Sequence, residues 1–287
     1  MKPIAAIIHS NIYISLAAML LTVSAQIQLG MPPQWHPYLF LIFFATLFEY
    51  NLHRLITVLT NDEALKSDKH QWVRENRKKF YMLMFSSVAG FIIAACMAKK
   101  EVLLAFMPLG IVTLFYSVPV SGNRRHLLRL REIPYLKIVL IAAVWSASTI
   151  LLPVIQAQEK FNSAKLILLL TERFFFIAAI AIPFDIRDME ADRHSGLRTL
   201  PLLLGKKNAR IISYLSLMVF FLIAVLHYPY SQQWYIILAS GISAFTTYLF
   251  ISLKTVRKMN IYYYGVLDGT MLIQGLLVLV LYAVTHS

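Results

Sequence analysis

Apolar residues run through this chain in blocks of about 20, broken by short polar segments, from one end to the other. Twenty residues is the length an α-helix needs to cross the hydrocarbon layer of a membrane. Nine such blocks stand near 7–28, 38–59, 80–98, 101–119, 135–156, 165–184, 210–228, 233–253 and 262–284. The pattern predicts an all-α polytopic membrane protein, about nine transmembrane helices in a bundle around a central cavity, with residues 1–287 as one domain. The first block has no basic segment before it beyond Lys2 and no clear small-residue cleavage site, so it is read as a span rather than a signal peptide.

Composition agrees with this and then adds an orientation. The 287 residues are 59% hydrophobic and 14% charged, with a net charge of +13. Taken alone, that excess points to an anionic partner. Its placement changes the meaning. The segments 60–79, 120–134, 185–210 and 254–261 hold six, four, six and three Lys or Arg, whereas the alternate segments hold only Lys99, Lys100 and Lys160, with Lys165 at an edge. Basic loops stay on the cytoplasmic side. The N-terminus is therefore expected in the cytoplasm of a cell (inner) membrane protein, and the excess is topological first. Attraction to anionic lipid or substrate comes second, and no nucleic-acid partner is called for. Cys96 is the lone cysteine, inside an apolar block, which leaves no disulfide framework or thiolate metal site.

One segment breaks the apolar pattern with acid. IPFDIRDMEADRHSGLRTLPLLLG, residues 182–205, places Asp185, Asp188, Glu190 and Asp192 directly after a long apolar run. At 100° per residue, Asp185, Asp188 and Asp192 fall within about 60° of one another on a helix, with Glu190 pointing elsewhere. Three carboxylates on one face repel unless a cation sits among them, and hard oxygen ligands favour Mg²⁺, which commonly bridges carboxylates to phosphates. The plainer alternative is a solvated helix end neutralised by Arg187 and Arg193.

The whole string resembles the second aspartate-rich signature of the UbiA-type intramembrane prenyltransferase family, DxxDxxxD followed by a basic loop and G-x-x-T-L-P. LFYSVPVSGNRRHLLRLREIPYLK (114–137) is similar to that family's loop after the fourth span, where a Tyr-Ser-x-Pro stretch leads to basic residues and a lysine. The last span carries Asp268 in YYYGVLDGTM. The resemblance implies transfer of an isoprenoid from its diphosphate to a lipophilic, aromatic acceptor. It implies Mg²⁺ held by Asp185, Asp188 and Asp192, the catalytic residues, with Asn51, Arg54, Tyr116, Arg124, Lys137 and Arg193 around the substrate and membrane lipid around the whole.

The family's other signature, N-x-x-x-D-x-x-x-D at the end of span two, falls on FEYNLHRLITVLTNDEA. Asn51 fits its first position, and Leu55 and Leu59 stand where the acids belong. Arg54 can replace a metal ion with a fixed cation, Asp62 and Glu63 can return as ligands, or the site has lost its ionisation chemistry and the chain binds isoprenoid lipid or diphosphate without turnover. Glu49 and His53 can pair at i, i+4. Glu172 and Arg173 lie inside span six and either pair between helices or face a polar path. A small transporter would need such a path, and these two with Asp268 are few.

Overall fold

The computed structural model of the chain describes residues 3–60, 72–73, 75–117, 133, 136–158, 161–194 and 196–286, and every described element is helical. In order these are α1 (Pro3–His9), α2 (Ile12–Gln28), α3 (Pro37–Thr60), α4 (Arg77–Met97), α5 (Lys100–Ser117), α6 (Leu136–Ala157), α7 (Ser163–His194), α8 (Leu200–His227) and α9 (Tyr230–Ser252). A four-residue α10 (Lys254–Arg257), a π-helical turn (Tyr262–Leu267) and α11 (Asp268–His286) complete the chain. Among the described residues, eight helical stretches are long and apolar enough to cross a membrane, and Ile12–Gln28 is a shorter apolar ninth. The protein is an integral, multi-pass membrane protein.

Sequence neighbours pack in turn. α5 lies on α6, α6 on α7, α7 on α8, α8 on α9 and α9 on α11, and α11 returns to α2, which also touches α3 and α6. α2 therefore stands inside the circuit, and Ala17, Leu21 and Ala25 on it are fully buried. The first apolar block differs from its expected single span. It breaks at Asn11, which takes a left-handed φ of 64°, a conformation asparagine tolerates better than most residues. The side chain of Asn11 then finds its partners on α3, so the break is held from outside.

The run from α7 to α8 positions the acids. Pro183 inside α7 has no N–H to give the carbonyl four residues back. That carbonyl, on Ala179, accepts instead from the Ser213 hydroxyl of α8 at 2.5 Å. A freed carbonyl in an apolar interior must find such a donor, and the bond pins α8 against α7 two turns before Asp185. α7 ends at Gly196 (φ 71°), where Leu197 N–H bonds the Asp192 carbonyl at 2.9 Å and Gly196 N–H bonds that of Arg193 at 3.1 Å. This six-to-one, five-to-two pair is the glycine stop of a helix. Gly205 (φ 79°) interrupts α8 five residues after it begins.

Candidate active site

Asp185, Asp188 and Asp192 converge on one ammonium. Lys137 Nζ, in the first turn of α6, lies 2.8 Å from Asp185 Oδ1, 3.5 Å from Asp192 Oδ2 and 3.9 Å from Asp188 Oδ2. Asp185 and Asp192 are buried and the Asp188 side chain is one-third exposed. Buried carboxylates need such a counter-charge. Glu190 is exposed, as its helical position requires.

A second cation closes the other side. Arg187 grips Asp188 with two hydrogen bonds, Nε to Oδ1 at 2.7 Å and Nη2 to Oδ2 at 3.0 Å, and donates from Nη1 to the Tyr264 hydroxyl at 2.8 Å. Its guanidinium carbon lies 5.1, 4.9 and 5.2 Å from the ring centres of Phe184, Tyr263 and Tyr264, close enough for cation–π attraction. The π turn supplies two of these rings. Arg187 entered the sequence argument only as a surface neutraliser; its i, i+3 aromatic neighbour Phe184 was the available signal for more.

The other candidate residues divide. Tyr116 lies within electrostatic range of Lys137, and its ring is 6.5 Å from that of His53. The neighbouring Ser117 donates to Glu49 at 2.5 Å. Asp268 lies in electrostatic range of Tyr13, Tyr50 and Tyr264. Arg193 stands exposed at the end of α7. Arg124, Asp62 and Glu63 lie outside the described residues, as does the side chain of Leu59.

Asn51 and Arg54 hold the helix break at Asn11. Asn51 is fully buried and donates to the Leu47 and Ser10 carbonyls at 2.7 and 3.1 Å while accepting from Asn11 at 3.0 Å. Arg54, also buried, donates to the His9 carbonyl and, at 2.5 Å, to Asn11 Oδ1. Both side chains thereby tie α3 to the α1–α2 break. Arg54 remains in electrostatic range of Tyr264, which links it to the Arg187 side of the cluster. Leu55 packs on the buried Trp72, Val73 and Phe80, an apolar contact.

An apolar cavity of about 160 Å³ adjoins the cluster between α6, α7 and α8. Lys137 and Asp185 form its polar wall, Phe174, Phe175 and Ile182 part of its apolar one. The volume suits a ring or one isoprene unit. The Thr199 hydroxyl lines it, buried and without a hydrogen-bond partner.

Three carboxylates directed at one cation fit Mg²⁺ in charge and donor type. Among the described residues no group of three or more His, Cys, Asp or Glu side chains is drawn together as a metal cage.

Residues 75–261 match the UbiA prenyltransferase family, a range that includes Lys137 and the α7 acids and excludes Asn51 and Arg54. Among solved structures, a UbiA homolog from Archaeoglobus fulgidus bound to GPP and Mg²⁺ superposes with a TM-score of 0.59 at 16% identity, over 97% of this chain and 100% of that one. The apo UbiA homolog from Aeropyrum pernix K1 gives 0.58 at 14% identity over 100% of both chains. A digeranylgeranylglyceryl phosphate synthase gives 0.53 at 12% over 99% and 98%. At these identities the likeness is one of fold. No curated protein matches the sequence significantly.

Proposed function

The chain belongs to the UbiA prenyltransferase family, and from that premise we propose that it transfers an isoprenoid group from a prenyl diphosphate to a lipophilic, aromatic acceptor within a cell membrane, the N-terminus and the acid cluster facing the cytoplasm. The C1–O bond of the allylic diphosphate breaks, diphosphate leaves with the electron pair, and the acceptor's electron-rich carbon bonds the allylic cation and loses a proton. Asp185, Asp188 and Asp192 would hold Mg²⁺, which supplies positive charge against the departing diphosphate. Lys137 and Tyr116, which interact electrostatically, take diphosphate oxygens together with Arg124. Arg187 fixes Asp188 in place. Asn51 and Arg54 keep the opposite wall in register through Asn11. Arg193, exposed at the end of α7, meets the anion on approach. The cavity beside Lys137 and Asp185 receives an apolar part of the substrate.

The convergence of three carboxylates from one helix on one cation carries this reading. The homolog bound to GPP and Mg²⁺ supports it from outside. A second reading, a non-catalytic relative that binds isoprenoid lipid or diphosphate, draws on Leu55, an apolar residue packed on Trp72, Val73 and Phe80 where the family resemblance implies an acid. Incubating the full chain with labelled prenyl diphosphates of several lengths, Mg²⁺ and a panel of aromatic acceptors separates the two. Mg²⁺-dependent diphosphate release that is lost in Asp188→Asn supports the transferase. Binding without turnover across the panel supports the non-catalytic relative.

A further inference from the structure

We propose that Lys137 is the resident cation of the α7 carboxylate cluster, and that a divalent ion enters only as an incoming diphosphate draws the lysine away. The proposal rests on the reading that Asp185, Asp188 and Asp192 form the metal site.

The argument is one of space and charge. The Lys137 ammonium reaches all three carboxylates, at 2.8, 3.5 and 3.9 Å. Arg187 adds a second positive charge through its two-pronged contact with Asp188. Among the described residues, these two cations offset most of the charge of the three carboxylates. So nearly neutral a cluster attracts a free divalent ion weakly. Mg²⁺ also requires oxygens at about 2.0–2.1 Å around its own centre, and the ammonium stands at the point they would surround. Lysine and metal cannot share it.

A diphosphate reverses this balance. It brings several negative charges, offers the metal oxygens of its own, and competes with the carboxylates for the ammonium. Lysine suits the exchange, being a compact charge with three donors on a flexible four-carbon stem. The Lys137 side chain is 15% exposed and begins a helix, so the ammonium can swing while the backbone of α6 holds. Metal and diphosphate then bind with positive coupling, each raising the affinity for the other by the same factor. The rest of the chain gives the device its purpose. Without the lysine the buried Asp185 would lose the counter-charge 2.8 Å away whenever substrate is absent.

The test is Mn²⁺ binding by the purified full chain, followed by electron paramagnetic resonance, with and without inorganic pyrophosphate. Wild type is expected to bind Mn²⁺ weakly alone and roughly tenfold or more tighter with pyrophosphate, within the usual span of coupling between sites. Lys137→Met is expected to bind Mn²⁺ without pyrophosphate roughly tenfold or more tighter than wild type, and to gain thermal stability from the metal. Lys137→Arg, which keeps the charge, should remain metal-poor in the same assay. Lys137→Gln provides the same comparison should the methionine variant fail to fold. Equal Mn²⁺ affinity in wild type and the neutral variants overturns the proposal. Absence of Mn²⁺ binding in every variant, even with pyrophosphate, overturns the metal-site reading beneath it.

Discussion

Arg173→Met offers a measurement of how this bundle handles charge far from the acid cluster. Arg173 and Glu172 are 2% and 1% exposed on α7. The guanidinium donates to the Leu21 carbonyl at 3.1 Å, the Ser24 hydroxyl at 3.2 Å and Gln28 Oε1 at 2.6 Å. The Gln28 amide passes the connection on, donating to Glu172 at 3.0 Å and to the Tyr228 hydroxyl at 2.9 Å, and Tyr228 donates to Glu172 at 3.0 Å. Burial raises the Tyr228 hydroxyl well above its ordinary pKa, which keeps it a donor. Methionine removes three donors and strands a buried carboxylate with neutral partners and His227, 3.6 Å away. Breaking a buried charge arrangement from one side costs about 3–5 kcal/mol, and that is the expected loss in detergent-titrated reversible unfolding. The double variant Glu172→Leu/Arg173→Met should recover more than about half of it, because an apolar pair replaces an ionic one at little net cost. A single-variant loss below about 1 kcal/mol, the range of solvent-screened pairs, would refute the reasoning and return the two residues to a wet path. The network commits the polar groups of Arg173 to α2 and those of Glu172 to Gln28 and Tyr228.

Other substitutions test neighbouring claims. Leu55→Asp restores an acid at the family's position, yet it should lower stability by about 2–5 kcal/mol in the same unfolding assay, since the side chain would enter the Trp72–Val73–Phe80 contact; a metal-dependent gain in stability would contradict this. Ser213→Ala should cost about 1–3 kcal/mol by stranding the Ala179 carbonyl that Pro183 leaves free, and Pro183→Ala should relieve most of that loss. Arg187→Lys keeps the charge and loses the two-pronged grip on Asp188, so a loss of about 1–3 kcal/mol is expected, partly repeated by Tyr264→Phe in a double-mutant cycle.

What the sequence made legible followed the periods it carries. Apolar blocks of membrane length marked the helices, and the i, i+3, i+7 spacing of Asp185, Asp188 and Asp192 put them on one side of α7, where they all meet Lys137. The remainder depended on partners distant in sequence. Nothing near Lys137 announces three carboxylates some 50 residues on. Asn51 looked like a remnant of a metal motif, whereas its amide is used up on Ser10, Asn11 and Leu47, across a helix break that hydropathy alone reads as continuous. Arg54 kept its charge in the right neighbourhood and spends two of its donors holding that break closed. Glu49 pairs with Ser117 on α5, a partner its own helix could not reveal.

The central claim is that the α7 carboxylates serve the departure of diphosphate, and its most direct test is phosphorus resonance of diphosphate release from geranyl diphosphate. The full chain in lipid nanodiscs would be compared with Asp185→Asn and, as an exposed control, Glu190→Gln. The account predicts Mg²⁺-dependent release that falls at least about a hundredfold in Asp185→Asn, the scale of losing a principal charge-stabilising group, and stays unchanged in Glu190→Gln. Release that is the same in all three proteins, or independent of Mg²⁺, would contradict it.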